Sequence, residues 1–279
     1  MILIELALWR KRMGNYLVIG GSGVMGTAAI QAVREKFGEE ANIVANWFGK
    51  EDPNFKVEGA NQTIFGDITS DDCIEDIKKV GGEKYDYLFY ATALGEVGFP
   101  IKESTKEQID HSNRISFDPL KKLEDQFQFG TMVAYSTFYL LKHQICSYGA
   151  MGHSKEAIEK WTLEKGKSRR ACIRAGLFPS HSSRAIKLLL RKNAKGINKE
   201  NNPLLGSYFE NVAASEGIKK FEAGIMQEER ETYGDSPTDA NDLYLSHLTL
   251  FESENPAFIN VCGKKIWETR EPLLLEGNI

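Results

Sequence analysis

Tyr148 and Lys155 stand seven residues apart in the segment SYGAMGHSKEAIEKW, which puts them two turns apart on nearly one face if the segment is helical. Two long side chains on one face can converge on one ligand. A phenol with a reference pKa of about 10 is a poor acid at neutral pH, but a neighbouring ammonium favours the phenolate and eases proton donation. The amine could also hydrogen-bond a ribose. Standing alone, the pair reads equally well as a surface tyrosine and a surface lysine. A second constellation lies in NYLVIGGSGVMGTAAI, residues 15–30, where Gly20, Gly23 and Gly26 follow an apolar run at three-residue spacing. Gly20 permits a tight turn, Gly23 lets main-chain amides approach a pyrophosphate, and Gly26 lets the new helix lie close to the strand. The helix that begins there turns unpaired donors and the positive end of its dipole toward an anion. Gly20, Ser22, Gly23, Val24, Met25 and Gly26 are therefore candidate dinucleotide contacts.

These residues need a scaffold, and the chain supplies a repeating one. Leu17, Val18 and Ile19 form a continuous apolar run, as expected of a parallel strand covered on both faces, and Ala28, Ala29, Ala32, Val33 and Phe37 follow at the spacing of one helical face. Further strands are expected at 42–48, 62–65, 85–91, 131–135 and 171–174, with helices at 103–126 and 147–165 among the connections. Thr69 or Ser70 can cap the helix after the third strand, with Asp71 and Asp72 near its N-terminus. Strand and helix alternate to Gly176, which predicts an α/β fold with a doubly wound parallel sheet. Residues 180–234 break the pattern with a largely polar, helical stretch too long for a plain connection. It reads as a lid over the substrate or as a subunit-contact region, which leaves a homo-oligomer open. A final helix over 237–251 and a strand near 258–261 complete the expected domain, 13–279.

Residues 1–12 precede that domain as an N-terminal extension, with three readings: Met13 as the true initiator, an added docking helix, or a disordered tail. The chain has 279 residues, 42% hydrophobic and 27% charged, with a net charge of −4. That is one ordinary globular domain with no electrostatic reason to bind nucleic acid. No apolar run approaches the length of a membrane span. Cys73, Cys146, Cys172 and Cys262 stand far apart without metal or disulfide-framework spacing, which fits a reducing cytoplasm, and the five histidines show no metal spacing either. The end of the second strand lacks the acid that would receive adenosine ribose hydroxyls. Asn46 and Trp47 stand there with Lys50 following, so the reading admits NAD or NADP and leans to NADP.

On these motifs the chain resembles the short-chain dehydrogenase/reductase family. The residues that carry the likeness are the glycine turn Gly20–Gly26, Gly66-Asp67-Ile68, Asn113, the tyrosine and lysine, and Ala175-Gly176. Most members have Tyr-x-x-x-Lys, whereas Met151 stands four before Lys155 here. The spacing Tyr148-x6-Lys155, with Met151 and Gly152 between, is similar to the enoyl-acyl-carrier-protein reductase branch, as are Ile115-Ser116-Phe117 and Gly217 to Phe221. The resemblance implies a Rossmann-like fold and assigns Asp67 and Ile68 to adenine. With them, Asn46, Ala91, Asn113, Lys155 and Gly176 join the cofactor site. Tyr148 would be the catalytic phenol and Lys155 would hold the ribose. The family's helper hydroxyl falls by equal spacing on Phe138, so Thr137 or Tyr139 beside it would take that role. The implied function is NAD(P)H-dependent reduction of an enoyl thioester, with a small-molecule or acyl-thioester partner. The alternatives are a ketoacyl reductase, in which Tyr148 protonates the alkoxide directly, and a nucleotide-sensing regulator that turns nothing over.

Overall fold

The computed structural model describes residues 14–278 apart from 51, 53 and 198, so the extension 1–12 and Met13 lie outside the described residues. The first half runs β1 (Asn15–Ile19), α1 (Val24–Phe37), β2 (Asn42–Trp47), β3 (Gln62–Phe65), α2 (Asp71–Gly81) and β4 (Lys84–Tyr90). It continues through α3 (Lys106–Ser116), α4 (Asp118–Gln126), β5 (Gln128–Thr137), α5 (Lys142–Ile145), α6 (Gly149–Leu163) and β6 (Arg169–Ala175). Then follow α7 (His181–Asn193), α8 (Pro203–Phe209), α9 (Ala214–Tyr233), α10 (Ala240–Glu252), β7 (Phe258–Cys262) and β8 (Lys265–Thr269). The strands form one sheet in the order β3-β2-β1-β4-β5-β6-β7-β8. All neighbours are parallel except β7 and β8. The order reverses at β1, which pairs with β2 on one side and β4 on the other. In doubly wound sheets a ligand crevice opens beyond the strand ends at such a point.

The apolar run of β1 alternates between two cores. Tyr16 and Val18 pack with Ala28, Ala29 and Val33 of α1 and Leu243 of α10, whereas Leu17 and Ile19 pack with Ile74 and Ile77 of α2 and Ile158 and Trp161 of α6. A strand with helices on both faces buries both sets of side chains, which is why its sequence shows no polar alternation. Ser70 caps α2, its hydroxyl accepting from the Cys73 amide at 3.2 Å.

Several elements depart from the expected spans. The helix expected over 103–126 is two helices, because Pro119 lacks an amide and opens α4, while Thr105 and Gln108 form a capping box that starts α3. The last helix begins at Ala240 and not at Pro237, held by a capping box between Asp239 and Asp242. Strand β5 extends from Gln128 to Thr137, and β8 was not foreseen; it returns antiparallel to β7 after a turn at Gly263, whose φ is +54°.

Residues 180–234 form α7, a short 3-10 turn, α8 and α9 around a small core of Leu190, Leu205, Phe209, Ile218, Phe221 and Ile225. The four cysteines are buried and unpaired. Among the described residues no helix is long and apolar enough to cross a membrane, and no cluster of His, Cys, Asp or Glu could hold a metal.

Candidate active site

The turn after β1 is built by glycines with distinct jobs. Gly20 has φ +77°, and a Cβ there would come within 2.8 Å of the Ala91 carbonyl oxygen. A Cβ on Gly26 would lie 2.3 Å from the Gly20 carbonyl oxygen, so α1 can approach β1 this closely only with glycine. Gly23 differs: its Cβ would meet only the Gly20 oxygen, at 3.4 Å, an ordinary contact. Gly23 is the N-cap of α1 with no side-chain cap, which leaves first-turn amides open to a ligand.

Gly23, Val24 and Met25 line a cavity of about 240 Å³ at the C-terminal edge of the sheet. The ends of β4, β5 and β6 contribute Ala91 and Thr92, Tyr135 to Thr137, and Gly176 to Phe178, while α6 adds Tyr148, Met151 and Lys155. The far wall comes from Ile186 and Leu190 of α7 and Ile218, Phe221 and Ile225 of α9. Tyr148, Lys155 and the glycine turn, remote in sequence, are thus brought to one apolar cavity.

Tyr148 immediately precedes α6. The chain turns into the helix at Gly149, whose φ is +46° and whose Cβ would meet the Glu96 carbonyl oxygen at 2.5 Å. The Gly149 and Ala150 amides donate to the Phe99 and Glu96 carbonyls, pinning the loop after β4 to the helix start. Among the described residues the Tyr148 hydroxyl has no hydrogen-bond partner, and burial alone raises its pKa above the ordinary phenol value. The expected help from Lys155 is not seen at the phenol. The ammonium is buried, donates to the Tyr135 carbonyl at 2.9 Å, and its pKa is lowered to about 8 by burial, against the opposing effects of Cys172 and Glu159. Two of its three donors remain without a partner among the described residues.

The two helper candidates part company. Thr137 ends β5 and lines the cavity, with its hydroxyl donating to the Ala175 carbonyl at 2.8 Å. Tyr139 is fully buried outside the cavity lining. Its hydroxyl donates to the Leu273 carbonyl of the C-terminal tail, and its ring packs with Ile101 and Leu275 against the flank of Tyr148. Phe138, between them, packs against Tyr233 and Trp267.

The remaining cofactor candidates sit near the strand ends but not in the cavity. The Asn46 amide is turned inward, donating to the Gly66 carbonyl at 3.0 Å and so tying β2 to β3. Asp67 accepts from the Thr69 amide at 2.9 Å, and Ile68 is buried. Asn113 accepts from the Ser154 hydroxyl at 2.7 Å, joining α3 to α6. Ser22 is exposed on the turn. Main-chain bonds from Gly21 to Asn46, Ala91 to Ile19 and Gly66 to Trp47 hold these strand ends together.

Sequence reasoning missed Gln144, Ser147, Ser183 and the Lys187–Glu222 ion pair of 2.6 Å, all of which line the cavity. Gln144 stands four residues before Tyr148, one turn away, a spacing that was readable. The Lys187–Glu222 pair joins α7 to α9 across 35 residues, and no local pattern announces it.

No family model matches the chain, and no curated protein matches its sequence. Solved structures do match its fold. A short-chain dehydrogenase family protein from Francisella tularensis superposes with a TM-score of 0.60 at 19% identity, covering 90% of this chain and 98% of that one. A short-chain dehydrogenase from Burkholderia cenocepacia, solved in complex with NADP, gives 0.57 at 12% identity, covering 89% and 87%. A short-chain dehydrogenase/reductase from Saccharomyces cerevisiae gives 0.56 at 16%, covering 88% and 95%. The chain therefore has the Rossmann-like fold of the short-chain dehydrogenases and reductases.

Proposed function

We propose that the chain is an NAD(P)H-dependent reductase that acts on the carbon-carbon double bond of an enoyl thioester. The observation that carries the reading is one cavity in which a half-buried phenol with no hydrogen-bond partner among the described residues, a buried amine with free donors and an open helix N-terminus meet. The cradle fits a nicotinamide dinucleotide. Gly20, Gly23 and Gly26 with the amides of Val24 and Met25 would hold the pyrophosphate, and Lys155 would hold the ribose hydroxyls. When bound, the dinucleotide supplies a hydride. The complex of the Burkholderia neighbour with NADP, and the absence of an acid after β2, favour NADP.

Tyr148, whose pKa burial raises further above the ordinary phenol value, is protonated at neutral pH and can donate a hydrogen bond to an oxygen that gains negative charge. In enoyl reduction that oxygen is the thioester carbonyl as it becomes an enolate, and a single good donor suffices. Direct reduction of a ketone needs a fuller proton transfer, and the second hydroxyl at hand, Thr137, already donates to Ala175. The apolar wall from α7 and α9 receives the acyl chain, and residues 180–234 close over it as a lid. The test is cofactor oxidation, with NADPH and NADH, on an enoyl and a ketoacyl thioester side by side. Turnover of the enoyl substrate is expected. Turnover of the ketoacyl substrate alone would make the protein a carbonyl reductase, and silence on both would favour a nucleotide-sensing role.

A further inference from the structure

Helix α7 has two working faces, and the cavity uses only one. Ser183, Ile186 and Leu190 point inward and line the cavity. On the opposite side Leu188 is 65% exposed, with Leu189 beside it at 39%. On a helical projection Arg184, Arg191 and Lys192 fall within about 60° of Leu188, and Lys195 continues the same side into the following turn. All four cations are exposed, and none makes an ion pair among the described residues. Between residues 181 and 197 there are five basic side chains and no carboxylate, in a chain whose net charge is −4. Lys187, the fifth, is held by Glu222 of α9. An apolar centre ringed by cations has thus been segregated onto one short stretch of an otherwise acidic protein.

From this juxtaposition we propose that α7 is a docking helix that rests on an anionic lipid surface, with Leu188 inserted at the headgroup level and Arg184, Arg191, Lys192 and Lys195 above it. Charge complementarity carries the choice of occupant. The cations surround the leucine as separate point charges with no acceptor among them, which suits a continuous anionic field more than the mixed pattern of a protein interface. Size points the same way. A stable protein partner covers about 800 Å² on each side, several times what the outward stripe of a helix ~20 Å long presents. A membrane asks for no such area, since each cation near an anionic surface multiplies binding by a factor of about five. The inner stripe of the same helix then gives an apolar substrate a short path from the lipid phase into the cavity. The inference is independent of which substrate is reduced.

Vesicle sedimentation of the full chain tests it, with phosphatidylcholine alone and with about 30% phosphatidylglycerol added. Binding is expected to be at least tenfold stronger to the anionic vesicles and to weaken as salt rises. Arg191→Gln with Lys192→Gln should lower anionic-vesicle binding about 30-fold, and Leu188→Ser about tenfold. Both variants should keep the wild-type melting temperature and turnover of a soluble substrate, because these side chains lie off the cavity. Equal binding to the two vesicle types would overturn the proposal, as would wild-type binding by the variants. If soluble poly-glutamate binds through Arg191 and Lys192 while vesicles do not, the partner is an acidic protein and the membrane assignment falls.

Discussion

The glycine turn and the 180–234 segment both border the cavity, yet they are built on different terms. At the turn, geometry is set by backbone touching backbone: Gly20 and Gly26 have no room for a Cβ, and both sides of the sheet are closed by helices. Across the cavity, α7, α8 and α9 have their own small core and meet the sheet domain through side chains. Part of that segment is fastened. His143 of α5 lies 2.8 Å from the Tyr208 hydroxyl and 2.5 Å from Glu228, and Gly224 makes the space for this cluster. Gly217 lets α9 approach Tyr208 and Phe209 closely, since a Cβ there would come within 2.7 Å of the Tyr208 carbonyl oxygen. Gly196 is exposed, and a Cβ there would meet nothing. The difference teaches that one wall is fixed by steric necessity and the other by replaceable packing, so substitutions should separate them.

The sharpest separation lies within the turn itself. Gly26→Ala drives a Cβ into the Gly20 carbonyl and should cost about 3 kcal/mol or more of stability, with cofactor affinity lost alongside. Gly23→Ala should leave stability within about 1 kcal/mol, since its Cβ makes an ordinary contact, yet lower dinucleotide affinity about tenfold or more. Thermal melts and fluorescence titrations with NADPH and NADH read both; unchanged affinity in Gly23→Ala would remove the pyrophosphate from this turn.

A smaller effect should follow pH. The folded pKa of Lys155, about 8, lies below its value in the unfolded chain, so the ammonium is lost as pH rises through about 8. The sign is opposite for fold and ligand: between about 8 and 10.5 the unfolded chain binds more protons and stability rises, while donors to the ribose weaken and the cofactor Kd rises. A Kd that stays flat from pH 7 to 9 would show that the charge on Lys155 does not serve binding. The smallest effect is expected at the far wall. Amides of α7 and α9 should exchange by local opening before those of the sheet, and gain protection when cofactor and substrate are added. Protection that does not change would point to a fixed contact surface and not to a lid.

How much of this was legible depends on whether the cause is local. The continuous apolar strand, the three glycines and the Tyr148–Lys155 spacing express rules that act within a dozen residues, and the fold followed from them. The division of the helix at Pro119 was also local and readable. What stayed hidden depends on distant partners. Tyr139 could not be separated from Thr137 until the C-terminal tail was seen to take its hydroxyl. The inward turn of Asn46 depends on the Gly66 carbonyl of the next strand. The desolvation that raises Tyr148 and lowers Lys155 arises from walls contributed by elements far apart in the chain, from α1 to α9.

The central claim is that Tyr148 acts on the reacting oxygen and not on the dinucleotide. Replacement of Tyr148 by Phe removes one hydroxyl that has no hydrogen-bond partner among the described residues, so the fold and the cofactor Kd should be preserved. Turnover of the enoyl thioester should fall ~100-fold to ~10,000-fold, because the lost interaction is made only as charge develops. Wild-type turnover in Tyr148→Phe, on every substrate the protein reduces, would contradict the account.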